Sequence, residues 1–103
     1  VAVIRDWTEA RAKCDEEGCR VCGGRAEAAH ILGRRHDQPK REGGKVLWVN
    51  PLHIIPLCRR EHTKYDAHEL DISGLLTEEE LAEAVRLAGY GSAMRRITSS
   101  RDV

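Results

Sequence analysis

Three cysteines set the strongest constraint on what this chain can fold into. Cys19-Arg20-Val21-Cys22-Gly23-Gly24 places two thiols at C-x-x-C spacing ahead of a glycine pair, and Cys58 follows after 35 intervening residues. Such a knuckle turns both sulfurs toward one ion, and a third thiolate with one further ligand completes tetrahedral zinc. A redox dithiol uses the same spacing but gives Cys58 no role. Zinc also answers a deficit. The 103 residues include no Phe, one Met, two Trp and two Tyr, so aromatic burial supplies little of the core. Structural zinc adds folding free energy directly, on the order of 10 kcal/mol in small fingers. The fourth cysteine, Cys14, falls at i, i+3, i+7 spacing with Trp7 and Ala10 and reads as a buried thiol on a helix face.

The length is that of one domain, 1–103. A helix is expected over about 6–17, with Asp6 as N-cap, Glu9 three residues on and Gly18 as its stop. Between Cys19 and Leu57 the helical period disappears, and the apolar pieces 26–31, 46–49 and 52–57 read as short strands around a Gly/Pro-containing loop at 33–45. A helix is expected from Cys58 to about His68, with Tyr65 turned inward. Thr77-Glu78-Glu79-Glu80 is a capping box that opens a further helix with Leu81, Ala84, Val85 and Ala88 on one face. Gly89 ends it, and 92–98 form a last short helix, so the C-terminal helical extension covers about 77–98.

Charge is zero in sum and segregated in sequence. Residues 19–64 carry ten Lys/Arg against four Asp/Glu, and residues 65–90 carry one against seven. Segregation of this kind matters more for partners than the total. The basic group Arg34, Arg35, Lys40, Arg41, Lys45, Arg59, Arg60 and Lys64 suits contact with a phosphate backbone, salt-sensitive and with little base readout. The acidic stretch after it is expected to limit non-specific adhesion.

The segment between the cysteines carries a further pattern: Cys19-x-x-Cys22-Gly23, then Ala29-His30-Ile31, then His53-Ile54-Ile55-Pro56-Leu57-Cys58-x-x-x-His62-x-x-Tyr65-Asp66. In this order and rough spacing it resembles the HNH endonucleases of the zinc-bound, ββα-metal type found in phages and mobile elements, over about 19–66. The resemblance implies an α+β fold: a ββα-metal core, 19–68, with a zinc-knuckle staple and flanking N- and C-terminal helices. It implies a metal-dependent endonuclease that hydrolyses DNA phosphodiester bonds, by nicking or double-strand cleavage.

By the same resemblance His30 is the general base, and an imidazole suits that task because its ordinary pKa lies near neutral. The family's middle Asn corresponds to His53, with Asn50 as the alternative in a longer loop. His62 is the third His, and with Asp66 one turn later it holds one divalent cation, Mg²⁺ or Mn²⁺ or another such as Ni²⁺ or Co²⁺. Glu61 stands where the family commonly has a cysteine or histidine, so the fourth zinc ligand after Cys19, Cys22 and Cys58 is either Glu61 or His62. Ala29 replaces an acidic or His ligand common in the family, and Asp37 and Glu27 are the substitutes available. His36 and His68 read as solvated side chains.

A reading from another class uses the same cysteines and basic loop without His30: a non-catalytic zinc ribbon that binds nucleic acid or a partner protein. No run approaches ~18 apolar residues and Val1–Asp6 lacks the shape of a signal peptide, so no membrane partner is expected and the location is cytoplasmic, the host cytoplasm for a phage protein. DNA is the expected partner, a phage DNA-packaging enzyme a second one by resemblance, and the chain is expected to be a monomer or weak dimer.

Overall fold

The computed structural model describes residues 4–39 and 46–99. The described residues form an α+β arrangement of four helices and two small sheets. The strands are β1 (Ile4–Asp6), β2 (Glu27–His30), β3 (Gln38–Pro39), β4 (Val46–Trp48) and β5 (Ile54–Leu57). The helices are α1 (Thr8–Glu17), α2 (Arg59–Asp66), α3 (Glu78–Ala88) and α4 (Tyr90–Ile97), with single 3-10 turns at Arg34–His36 and Pro51–His53.

Two antiparallel strands organise the rest. β2 pairs with β5 in the register Ala28↔Pro56, Ala29↔Ile55 and His30↔Ile54. All four residues of β5 are buried. A strand covered on both faces loses the polar–apolar alternation of a half-exposed one, and Ile54-Ile55-Pro56-Leu57 is accordingly an unbroken apolar run. Ile54 joins Ala10, Cys14 and Val49 in a small core under α1, with Trp7 and Ala28 packed against it. Ala29, Ile55 and Leu57 point the other way, into a larger core with Ile31, Tyr65, Ile72, Ala84, Ala93 and Ile97. Thus α1 covers one face of the pair, and α2 to α4 supply the other.

The second sheet ties the N-terminus into the fold. β1 pairs parallel with β4 (Ile4↔Val46, Asp6↔Trp48), and β3 pairs antiparallel on the other edge of β4. By sequence Asp6 is the expected N-cap of the first helix. Instead Asp6 closes β1, Trp7 occupies the cap position, and the Asp6 Oδ1 accepts from the Thr8 N–H at 3.0 Å. The competing pull is the β1–β4 pairing, which holds Asp6 in an extended strand.

The helix ends elsewhere follow local chemistry. Gly18 stops α1 at φ +72°, where a side chain would also meet the carbonyl oxygens of Gly23 and Gly24 at 3.1 and 3.0 Å. Thr77 and Glu80 form the full capping box of α3. Glu80 is itself buried at 1 % exposure and receives Lys13 of α1 and Arg20 of the cysteine turn, so one carboxylate fastens three parts of the chain.

Candidate functional site

The cysteine turn is closed by two backbone hydrogen bonds, Gly23 N–H to the Cys19 carbonyl and Cys19 N–H to the Gly24 carbonyl, both 2.8 Å. It sits after the stop of α1, and Cys58 arrives from the end of β5 as the N-cap of α2. The three Sγ atoms lie within 4.8 Å of one another. Tetrahedral zinc with bonds of 2.3 Å spaces its sulfurs by about 3.8 Å, so the group fits such an ion. Burial acts to raise the Cys19 pKa, but the backbone N–H groups of Cys22, Cys58 and Val21 outweigh it and bring the thiol to about 7. A thiolate held in this way is ready to bind metal. Cys14 is 3 % exposed in the core under α1, and burial pushes its pKa to about 11.

Neither residue considered for the fourth position joins the three sulfurs within that 4.8 Å among the described residues. Glu61 is buried at 4 % exposure on the first turn of α2, facing Arg60 at 3.2 Å and Lys64 at 3.7 Å. His62 is engaged elsewhere. Its Nδ1 lies 2.7 Å from Glu27 Oε1 and its Nε2 lies 3.4 Å from Asp66 Oδ2, so the ring is held between two carboxylates. Burial acts to raise the Glu27 pKa, but His62 and then Arg59 hold it below its ordinary value.

A cleft of about 250 Å³ brings His30, His62 and Asp66 together, with Trp7, Ala28, Arg34 and Arg96 also in its lining. His30 comes from the end of β2, while His62 and Asp66 are one turn apart on α2. The imidazole of His30 meets Trp7 edge to face at 5.5 Å, and its Nε2 lies 3.0 Å from Asp37 Oδ1. Burial lowers the His30 pKa, against the pull of Asp37, so the ring is neutral at neutral pH. Arg96 reaches the cleft from α4. It stacks over the Tyr65 ring at 3.7 Å, donates to the Tyr65 carbonyl at 2.9 Å and lies 3.8 Å from Asp66.

His53 is not among the residues lining this cleft. It lines a smaller cavity with Ile31, Leu52 and Ala84, its Nε2 lies 2.8 Å from Glu83 Oε2, and its buried Nδ1 has no hydrogen-bond partner among the described residues. Its carbonyl accepts from the Ile31 N–H at 2.8 Å, one residue beyond His30. Asn50 caps the 3-10 turn that carries His53, accepting from the Leu52 N–H at 2.9 Å.

Of the basic residues, Arg34 and Arg35 lie exposed on the turn after β2, and Arg34 lines the cleft. Arg59 is exposed beside Glu27, and Arg60 and Lys64 flank Glu61. Lys40, Arg41 and Lys45 fall outside the described residues. Nothing local in the sequence marks Arg96 and Trp7 as cleft residues or Arg5 as the partner of Asp37. His68 is exposed, and His36 is half-buried and accepts from Arg35 at 3.3 Å. The acidic C-terminal stretch is less free than its composition implies. Besides buried Glu80, Glu83 is tied to Arg86 and His53, which hold its pKa at about 2.

No protein family, curated protein or solved structure matches the chain. Among the described residues no helix is long and apolar enough to cross a membrane.

Proposed function

We propose that this chain is a metal-dependent endonuclease of the HNH type that hydrolyses DNA phosphodiester bonds. One observation carries the reading: His30, His62 and Asp66 line a single cleft with Arg34 and Arg96. The antiparallel β2–β5 pair followed by α2 has the strand–strand–helix order that a ββα-metal core requires. A neutral, partly buried imidazole suits a general base, and an arginine held like Arg96 suits a phosphodiester.

In this reading zinc is structural, held by Cys19, Cys22 and Cys58. Glu61 is taken as the fourth ligand, turning from Arg60 and Lys64 toward the sulfurs, because His62 faces the cleft beside Asp66 with its Nδ1 against Glu27. His62 and Asp66 hold the catalytic divalent cation, and their 3.4 Å separation fits shared ligation of one ion. When bound, that cation supplies Lewis-acid stabilisation of the charge developing on the phosphoryl and leaving oxygens. His30 takes a proton from the attacking water. Arg96, pre-set by its stack on Tyr65, orients the phosphate and balances its charge. His53 acts as a positioning residue through its carbonyl bond to Ile31, which fixes the strand end that carries His30. Arg34, Arg35, Lys40, Arg41, Lys45, Arg59, Arg60 and Lys64 contact the DNA backbone.

A supercoiled plasmid incubated with the zinc-loaded protein and Mg²⁺ or Mn²⁺ tests this. Conversion to nicked or linear product with 5′-phosphate ends is expected, and a chelator abolishes it. Absence of cleavage with any divalent cation, alongside salt-sensitive DNA binding, would overturn the enzyme reading in favour of a non-catalytic zinc module.

A further inference from the structure

Asp37, which the sequence offered as a substitute metal ligand, is an internal carboxylate whose two oxygens are engaged by protein groups. It follows the Arg34–His36 turn, and its side chain is fully shielded from solvent. Two groups share it. Arg5 Nε donates to Oδ2 at 2.9 Å, and His30 Nε2 lies 3.0 Å from Oδ1. A carboxylate only accepts, so Nε2 of a neutral His30 must carry the imidazole proton. The remaining lone pair is then on Nδ1. Trp7, edge-on to the ring at 80°, closes one side of it and limits reorientation.

We propose that Asp37, anchored by Arg5, is the positioning residue that holds His30 as its Nε2–H tautomer and leaves Nδ1 as the proton acceptor. The consequence for rate rests on the nuclease reading, whereas the tautomer does not. A buried carboxylate without partners is costly, and here the two partners lie 32 and 7 residues earlier in the chain. The arrangement also explains why β1 belongs to the site: its pairing with β4 delivers Arg5. The charged groups acting on His30 are Asp37, Arg34 and Arg5, and His62, Asp66 and Arg96 line the same cleft.

Asp37→Asn separates positioning from bulk. Arg5 can only donate, so the new amide must turn its oxygen to Arg5 and its NH₂ to His30. That forces Nε2 to accept and moves the proton to Nδ1, the wrong tautomer for a base at that atom. Imidazole ¹⁵N NMR at neutral pH should report Nε2–H in the wild type and Nδ1–H in Asp37→Asn. Plasmid nicking should fall about 10²-fold in kcat with little change in KM. Adding Arg5→Met to Asp37→Asn frees the amide to turn back, so the double variant should regain Nε2–H and roughly tenfold of the lost rate.

A double variant worse than the single, with its tautomer unchanged, would reduce Asp37 to a packing role and overturn the proposal. So would a wild-type His30 protonated on Nδ1, a result that needs no variant to fold. If the tautomers follow the expected pattern but no protein cuts DNA, the nuclease reading falls and the positioning of His30 by Asp37 stands.

Discussion

Replacing Glu80 by alanine removes the carboxylate on which three elements converge. Lys13 and Arg20 are 14 % and 13 % exposed at the side chain, and Glu80 is 2 % exposed, so the charges lie largely out of water. Removing one partner of such a group typically costs about 3–5 kcal/mol, because the other charges stay buried. Here some compensation survives. Lys13 keeps the Pro51 and Ile54 carbonyls at 2.6 and 2.9 Å, and Arg20 keeps Glu17 at 2.7 Å and the Leu75 carbonyl at 3.1 Å. That places the loss near the lower end, and half of the capping box goes as well, for a total of about 3 kcal/mol. In a domain of this size the melting temperature should fall by roughly 15 °C. Glu80→Gln keeps the volume and one acceptor and should cost about half as much. Urea unfolding followed by the fluorescence of Trp7 and Trp48 gives both values. If Glu80→Ala lies within about 0.5 kcal/mol of wild type, Glu80 behaves as a surface residue and the convergence does not stabilise the fold.

Elemental analysis should find about one zinc per chain. Cys22→Ser and Glu61→Ala should lose it to a chelator that leaves wild type, Cys14→Ala and His62→Ala loaded. Retention by Glu61→Ala with loss from His62→Ala would reverse the assignment of the fourth ligand. Thiol labelling of the folded zinc-loaded protein should spare Cys14, whose pKa of about 11 and burial suppress the thiolate. Glu80 and Glu83 have folded-state pKa values below the ordinary 4.5, Glu83 at about 2. Their stabilisation is therefore complete above about pH 4.5 and is lost as pH falls toward 2, and Glu80→Gln should flatten that acid limb of a stability–pH curve. DNA affinity should fall steeply with salt. Arg34→Ala and Arg59→Ala should each reduce the log–log slope by about 1 if they meet a phosphate, and an unchanged slope would remove that residue from the interface.

What could be read from the chain was the part governed by local chemistry. The Thr77/Glu80 capping box, the Gly18 stop, the Trp7–Ala10–Cys14 face and the Cys19–Cys22 knuckle all follow from short spacings. Cys58, after 35 intervening residues, was legible because two thiols alone leave a tetrahedral ion short of ligands. What escaped depends on partners distant in sequence. Asp6 looked like a cap because nothing near it reveals the β4 strand that claims it. Arg5 and Asp37 are 32 residues apart, and Arg96 and Asp66 are 30 apart along the chain, so only the fold brings each pair together. His62 illustrates the same point for the site. By spacing it suited either metal, and only the position of Glu27 on β2 shows which side of α2 the ring takes. Glu83, one charge of the acidic stretch, is held by His53 from 30 residues earlier as well as by Arg86.

The central claim is that His30 and the His62–Asp66 pair form one hydrolytic site on DNA. It is tested most directly by the plasmid-nicking rate of His30→Ala against wild type at equal zinc content and saturating Mn²⁺. The account predicts a loss of about 10²-fold to 10⁴-fold with DNA binding retained. Equal rates in the two proteins would contradict it.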